Sequence, residues 1–214
     1  MQTKAVIFDL DGTLTYTLED LMLSTNYALR QMCMPERSLD EVRRFVGNGV
    51  RRLIAQAVPE GTDPETTERC FEHFRHHYSE HCQDHTVLYP GVQPLLQELK
   101  SRGVRMAIVS NKLQSGVDAL NKAFFADTVD VAIGERQGIP RKPAPDMVGM
   151  ALAALGVDSS EAIYVGDSEV DVLTARNAAL PCVSVLWGFR DRAALERSGA
   201  TTFISAPEQL LQML

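Results

Sequence analysis

From about residue 87 to its end, the chain alternates short apolar runs with amphipathic stretches, and this pattern restricts the fold more than any other feature. The runs at 104–109, 129–133, 162–165 and 182–186 are short, apolar and rich in β-branched residues, as expected of strands buried on both faces. Helices are expected between them. Pro90-Gly91 opens one with an apolar face at Val92, Leu95, Leu96 and Leu99, and Gly103 stands where its left-handed C-terminal residue belongs. Pro143 and Pro145 start another through Met147, Val148, Ala151, Leu152 and Leu155, which Gly156 closes. Strand and helix in alternation imply an α/β fold, a Rossmann-like parallel sheet covered on both faces.

A first strand, Ala5-Val6-Ile7-Phe8, precedes a block with a different period. Between about 15 and 85 every segment reads as helical. Leu18, Leu21, Met22, Thr25, Ala28, Leu29 and Met32 share a face behind a possible Thr17 cap; Ser38-x-x-Glu41 resembles a capping box, and Asp63-Pro64 suits a helix start. The expected organisation is therefore a core of residues 1–14 and 86–214 with an all-helical cap of residues 15–85 inserted after strand one. Open parallel sheets bind ligands at that end of their strands.

Chemistry-bearing residues recur at the same places in this pattern. Asp9-Leu10-Asp11-Gly12-Thr13 follows strand one, Ser110-Asn111 follows the second run, Lys142-Pro143 precedes a helix, and Gly166-Asp167-Ser168-Glu169-Val170-Asp171 follows a later strand. A lone Asp-Gly pair is an ordinary turn. In a parallel sheet, however, all four segments lie on one edge and can converge. Asp9, Asp11, Asp167 and Asp171 gathered there would repel one another unless a cation joined them, and Mg²⁺, a hard ion that prefers oxygen ligands, is the expected occupant. Lys142 adds a positive charge for phosphoryl oxygens.

Asp9-x-Asp11-Gly12-Thr13, Ser110-Asn111-Lys112, Lys142-Pro143 and Gly166-Asp167-x-x-x-Asp171 resemble the four ordered motifs of the haloacid dehalogenase superfamily, in the subgroup with a helical cap after the first motif. Val46-Gly47-Asn48-Gly49-Val50-Arg51-Arg52-Leu53-Ile54, Leu88-Tyr89-Pro90-Gly91-Val92 and Trp187-Gly188-Phe189-Arg190 are further similar to phosphoglycolate phosphatases. The resemblance implies a Mg²⁺-dependent phosphatase acting on a small phosphorylated metabolite, 2-phosphoglycolate being the expected substrate. It implies Asp9 as nucleophile, Asp11 as acid and base with a carbonyl on the metal, and Asp167 as metal ligand. Asp171 acts through water or anchors Lys142. Ser110, the Asn111 N–H, Gly12 and Lys142 surround the phosphoryl group, and Thr13 orients the first loop. Relatives usually place Asp-Ser after the first motif, where this chain has Tyr16-Thr17, at the hinge into the cap. A sugar phosphomutase or inorganic pyrophosphatase would use the same core; a phospho-accepting signalling domain or binding module would need neither Asp11 nor a cap.

Gly47-x-Gly49 lacks the third glycine and preceding strand of a dinucleotide loop, so a cap loop facing the active site is expected. Within it Arg51 and Arg52 are candidate ligands for a substrate carboxylate or second phosphate, or solvated helix charges. His73, His77, His81 and His85 repeat every four residues, a spacing that can chelate zinc but that more often marks a polar face. Cys33, Cys70, Cys82 and Cys182 have no framework spacing and read as reduced thiols. A net charge of −7 disfavours a nucleic-acid partner. No apolar run reaches membrane-spanning length, and no signal sequence is seen, so a cytoplasmic monomer or small homo-oligomer is expected.

Overall fold

The computed structural model describes residues 3–214. The chain divides into two compact units, one of residues 1–15 with 88–214 and one of residues 16–87. Strand β1 (Ala5–Phe8) is followed by the two-residue β2 (Thr15–Tyr16). The inserted unit then holds α1 (Leu18–Gln31), α2 (Leu39–Phe45), α3 (Val50–Ala57) and α4 (Pro64–His81). Strand β3 (Val87–Leu88) pairs with β2 where the chain returns, a two-stranded ribbon that the helical reading of this stretch did not anticipate.

The rest of the larger unit is β4 (Arg105–Leu113), β5 (Val131–Glu135), β6 (Ala162–Gly166), β7 (Cys182–Val185) and β8 (Phe203–Ile204), joined by α5 (Val92–Ser101), α6 (Gln114–Leu120), α7 (Asp146–Leu155), α8 (Glu169–Asn177) and α9 (Arg192–Arg197). Six strands form one parallel sheet in the order β5-β4-β1-β6-β7-β8. Central β1 is buried at every residue, and its side chains alternate between faces: Val6 and Phe8 pack with Val92, Leu96 and Leu99 of α5, while Ala5 and Ile7 pack with Met147, Val148 and Ala151 of α7. Two faces covered by helices make the three-layer α/β architecture that the alternation predicts. Truncating Phe8 to alanine would cost about 3–5 kcal/mol, because the layers on either side leave no room for collapse.

Helix punctuation follows the expected chemistry with one exception. Ser38 and Glu41 form a reciprocal capping box, Asp63 caps α4 through the Thr66 N–H, and Gly103 and Gly156 have φ of +74° and +68°. Thr17 precedes α1 but makes no capping hydrogen bond, and its hydroxyl is buried without a partner among the described residues. Buried Asp20 does the tying there instead: its carboxylate accepts hydrogen bonds from the His85 N–H and ring and from the Thr86 N–H and hydroxyl, at 2.8–3.1 Å. Within the helical unit α1 packs on α4, around Leu21, Ala28, Phe71 and Phe74.

The histidine face is a hydrogen-bonded surface. His77 bonds Ser24 at 3.0 Å and stacks on Tyr27 and His81, His81 bonds Asp84, and His85 bonds Asp20. The rings of His77, His81 and His85 thus each have a hydrogen-bond partner. No helix among the described residues is long and apolar enough to cross a membrane.

Candidate active site

Because the sheet is parallel, the carboxyl ends of β1, β4 and β6 share one edge, and the expected motifs lie there. Asp9 directly follows β1, and its N–H donates to the Val165 carbonyl of β6 at 2.8 Å, continuing the sheet ladder by one residue. Strand β4 continues past its apolar run through Ser110, Asn111 and Lys112, with a register shift against β5 between Val109 and Leu113. Asp167 follows β6, and Ser168 caps α8.

Lys142 is the hub. Its ammonium donates to Asp9 Oδ1 at 2.6 Å, to Asp171 Oδ1 at 2.8 Å and to the Tyr164 hydroxyl at 3.0 Å. The Tyr164 hydroxyl donates in turn to Asp171 Oδ1 at 3.0 Å. Asp171 Oδ2 is taken by the Ser168 N–H and hydroxyl, so both its oxygens are spent on holding protein groups. Asn111 fixes the lysine backbone: its amide donates to the Lys142 carbonyl and accepts from the Lys142 N–H. Asp9 Oδ2, by contrast, accepts no hydrogen bond from a described residue.

Asp167 sits in a tight collar. It accepts from the Thr13 hydroxyl at 3.3 Å and from the Phe189 N–H at 2.7 Å, while the Trp187 indole donates to the Thr13 carbonyl at 3.0 Å. Gly12, at φ +91°, has no room for a side chain: a Cβ there would lie 2.4 Å from Asp167 Oδ2. A Cβ on Gly188 would lie 2.2 Å from the Asp167 Cβ. Ser110 is buried, and its hydroxyl accepts the Lys112 N–H, leaving its own proton for another acceptor.

Asp9, Asp167 and Asp171 present oxygens within 4.8 Å of one another, all buried. Three carboxylates lie in one desolvated space, and two of them, Asp9 and Asp171, are bonded to the Lys142 ammonium. Burial, then the charge of Asp171, pushes Asp9 well above the usual carboxylate range and Asp167 up to about 7. Burial works against the Lys142 charge, but Asp171 and Asp9 outweigh it and carry its pKa well above the ordinary lysine value. At an effective dielectric near 20, each pair of like charges about 4 Å apart costs roughly 4 kcal/mol. A hard divalent cation relieves that repulsion, and an all-oxygen set of clustered carboxylates is the donor chemistry it takes.

The Asp11 carboxylate lies outside this cluster and pairs with Lys112, whose Nζ is 3.0 Å from Asp11 Oδ1. Arg51 and Arg52 belong to the helical unit. Arg51 pairs with Glu68 and stacks over Phe71 at 4.0 Å, and Arg52 is exposed. Arg141, beside the hub lysine, is exposed and lies 3.7 Å from Glu135. Sequence reasoning did not single out Tyr164, and it quoted Lys112, Ser168, Trp187 and Gly188 within motifs without giving them a role. Tyr164 reads as one more apolar residue of a strand, although a buried phenol needs a hydrogen-bond partner and so hints at a polar neighbour.

Fold and site together define an α/β enzyme with a carboxylate and lysine centre at the carboxyl edge of its sheet. The chain belongs to the haloacid dehalogenase-like hydrolases, whose family pattern matches residues 6–185. It is 33% identical to a phosphoglycolate phosphatase of Caulobacter vibrioides, over 98% of this chain and 91% of that one. A phosphoglycolate phosphatase of Aquifex aeolicus is 32% identical over 87% of this chain and 86% of its own. The solved structure of a candidate phosphoglycolate phosphatase from Lactobacillus delbrueckii subsp. bulgaricus superposes with a TM-score of 0.94 at 34% identity, covering 100% of this chain and 98% of the other.

Proposed function

We propose that the protein is a Mg²⁺-dependent phosphatase that hydrolyses a small phosphate monoester, 2-phosphoglycolate, through a phosphorylated Asp9. The observation that carries this reading is the split state of the Asp9 carboxylate, with Oδ1 held by Lys142 at 2.6 Å and Oδ2 unengaged. A nucleophile needs one oxygen oriented and the other available. The names of the relatives supply the substrate class.

In the first step Asp9 Oδ2 attacks phosphorus, the bond to the ester oxygen breaks, and Asp11 gives its proton to the departing alkoxide. In the second, Asp11 takes a proton from water, whose oxygen attacks the acyl phosphate; inorganic phosphate leaves and Asp9 is restored. Lys142, Ser110, Gly12 and the Asn111 N–H hold the phosphoryl oxygens, and Thr13 steadies the first loop through Asp167. Asp9, Asp167 and the Asp11 carbonyl would hold Mg²⁺, with Asp171 contributing through water. The ion would supply charge neutralisation between a carboxylate and a phosphate dianion. Arg51 and Arg52 are candidate ligands for a substrate carboxylate or second phosphate, or solvated helix charges, and the enzyme works in the cytoplasm as a monomer or small homo-oligomer.

Turnover of p-nitrophenyl phosphate with and without EDTA, followed by a screen of phosphorylated metabolites, tests the reading. Turnover should need divalent metal and vanish in Asp9→Asn. Phosphate release by that variant at the wild-type rate, or none by the wild type from any monoester, would overturn it.

A further inference from the structure

Lys112 is a second buried cation at the active edge, and the hub does not use it. Its side chain is 2% exposed, and its ammonium lies 3.0 Å from Asp11 Oδ1. A buried ammonium is costly unless paired, so the placement calls for a specific acceptor. The surrounding chain is shaped to deliver it. Strand β4 runs beyond its apolar stretch, and its register against β5 shifts between Val109 and Leu113, in the segment that holds Lys112. The first turn of α6 then has a glycine where the lysine stem lies: a Cβ on Gly116 would stand 3.1 Å from Lys112 Cε and 3.4 Å from Cδ and Cγ. Gly134 of β5 is equally close to the backbone, since a Cβ there would meet the Lys112 carbonyl at 2.7 Å.

We infer that Lys112 is a positioning residue that holds Asp11 by Oδ1, so that Oδ2 is the oxygen that carries the proton to and from the reacting groups. Asp11 Oδ2 accepts no hydrogen bond from a described residue, as this assignment requires. The inference rests on the acid and base role given to Asp11 above. Lys142 and Lys112 thus divide the work: one orients the nucleophilic carboxylate, the other the proton-transferring one. A loosened Asp11 matters most when the leaving group is a strong base that must be protonated as its bond breaks.

The experiment compares kcat/KM for p-nitrophenyl phosphate, whose leaving group needs little protonation, with that for ethyl phosphate, using Mg²⁺-loaded Lys112→Met and Lys112→Arg. Lys112→Met should lose at least about tenfold more on the alkyl ester than on the aryl ester, and Lys112→Arg should recover most of the difference. Gly116→Ala, which keeps the charge but crowds the stem, should show the same selective loss to a smaller degree and covers the case in which Lys112→Met does not fold. Equal losses on both esters, or a larger loss on the aryl ester, would overturn the inference. Wild-type enzyme inactive on both esters would instead remove the phosphatase reading itself.

Discussion

Asn111 and Lys142, 31 residues apart in sequence, exchange two hydrogen bonds, the Lys142 N–H donating to Asn111 Oδ1 at 2.9 Å and the Asn111 amide donating to the Lys142 carbonyl at 3.1 Å. The clamp ties the end of β4 to the loop before α7, so that the hub lysine inherits the rigidity of the sheet. Asn111→Ala leaves a buried N–H and carbonyl without these partners. It should destabilise the protein by about 1–3 kcal/mol and lower kcat by about ten- to a hundredfold, as seen in thermal denaturation and steady-state kinetics.

Tyr164→Phe removes one acceptor of the Lys142 ammonium and leaves Asp9 and Asp171 in place. The expected cost is about 1 kcal/mol, a fall in Tm of about 2–4 °C, with kcat reduced no more than about tenfold. Loss of all activity in a folded variant would show that the phenol does more than steady the lysine.

Gly188→Ala places a Cβ 2.2 Å from the Asp167 Cβ and 2.6 Å from the Gly12 carbonyl oxygen. Asp167 must shift. The Mg²⁺ concentration for half-maximal activity should rise by about ten- to a hundredfold, measured by metal titration of turnover. An unchanged metal requirement would separate Asp167 from the ion.

His85 reports on the helical unit. Its ring bonds the buried Asp20 carboxylate, and that hydrogen bond, with help from Glu19, raises its pKa above the ordinary histidine value. A raised folded pKa means that the charged ring binds its proton more tightly in the folded state. The stabilisation is therefore complete below about pH 6.5, the unfolded value, and is lost as pH rises through the folded one. The Tm difference between wild type and His85→Gln should be larger at pH 5.5 than at pH 8.5; the opposite trend would refute the linkage.

The architecture was legible because strands buried on both faces leave uninterrupted apolar runs, and because proline and glycine punctuate α5 and α7. Polar residues that keep strand geometry were not. Strand β4 reads as ending at Val109 since Ser110, Asn111 and Lys112 break the apolar run, yet they extend it to Leu113. Two-residue strands such as β8 carry too little pattern to be seen. The carboxylates and Lys142 were visible as motifs, whereas Tyr164, Gly188 and the Asp20 anchor serve through partners distant in sequence. Asp20 stands as a charged letter among helical ones, and only His85 and Thr86, 65 and 66 positions away, explain its burial.

The hydrogen bonds described for the Lys142 hub, the Asp167 collar and the Lys112 pair join residues of the unit made from 1–15 and 88–214. Asp9, Asp171 and Lys142 are thus tied to one another by bonds that lie within a single unit. Replacement of the inserted stretch would leave each of those bonds with both of its partners in the chain.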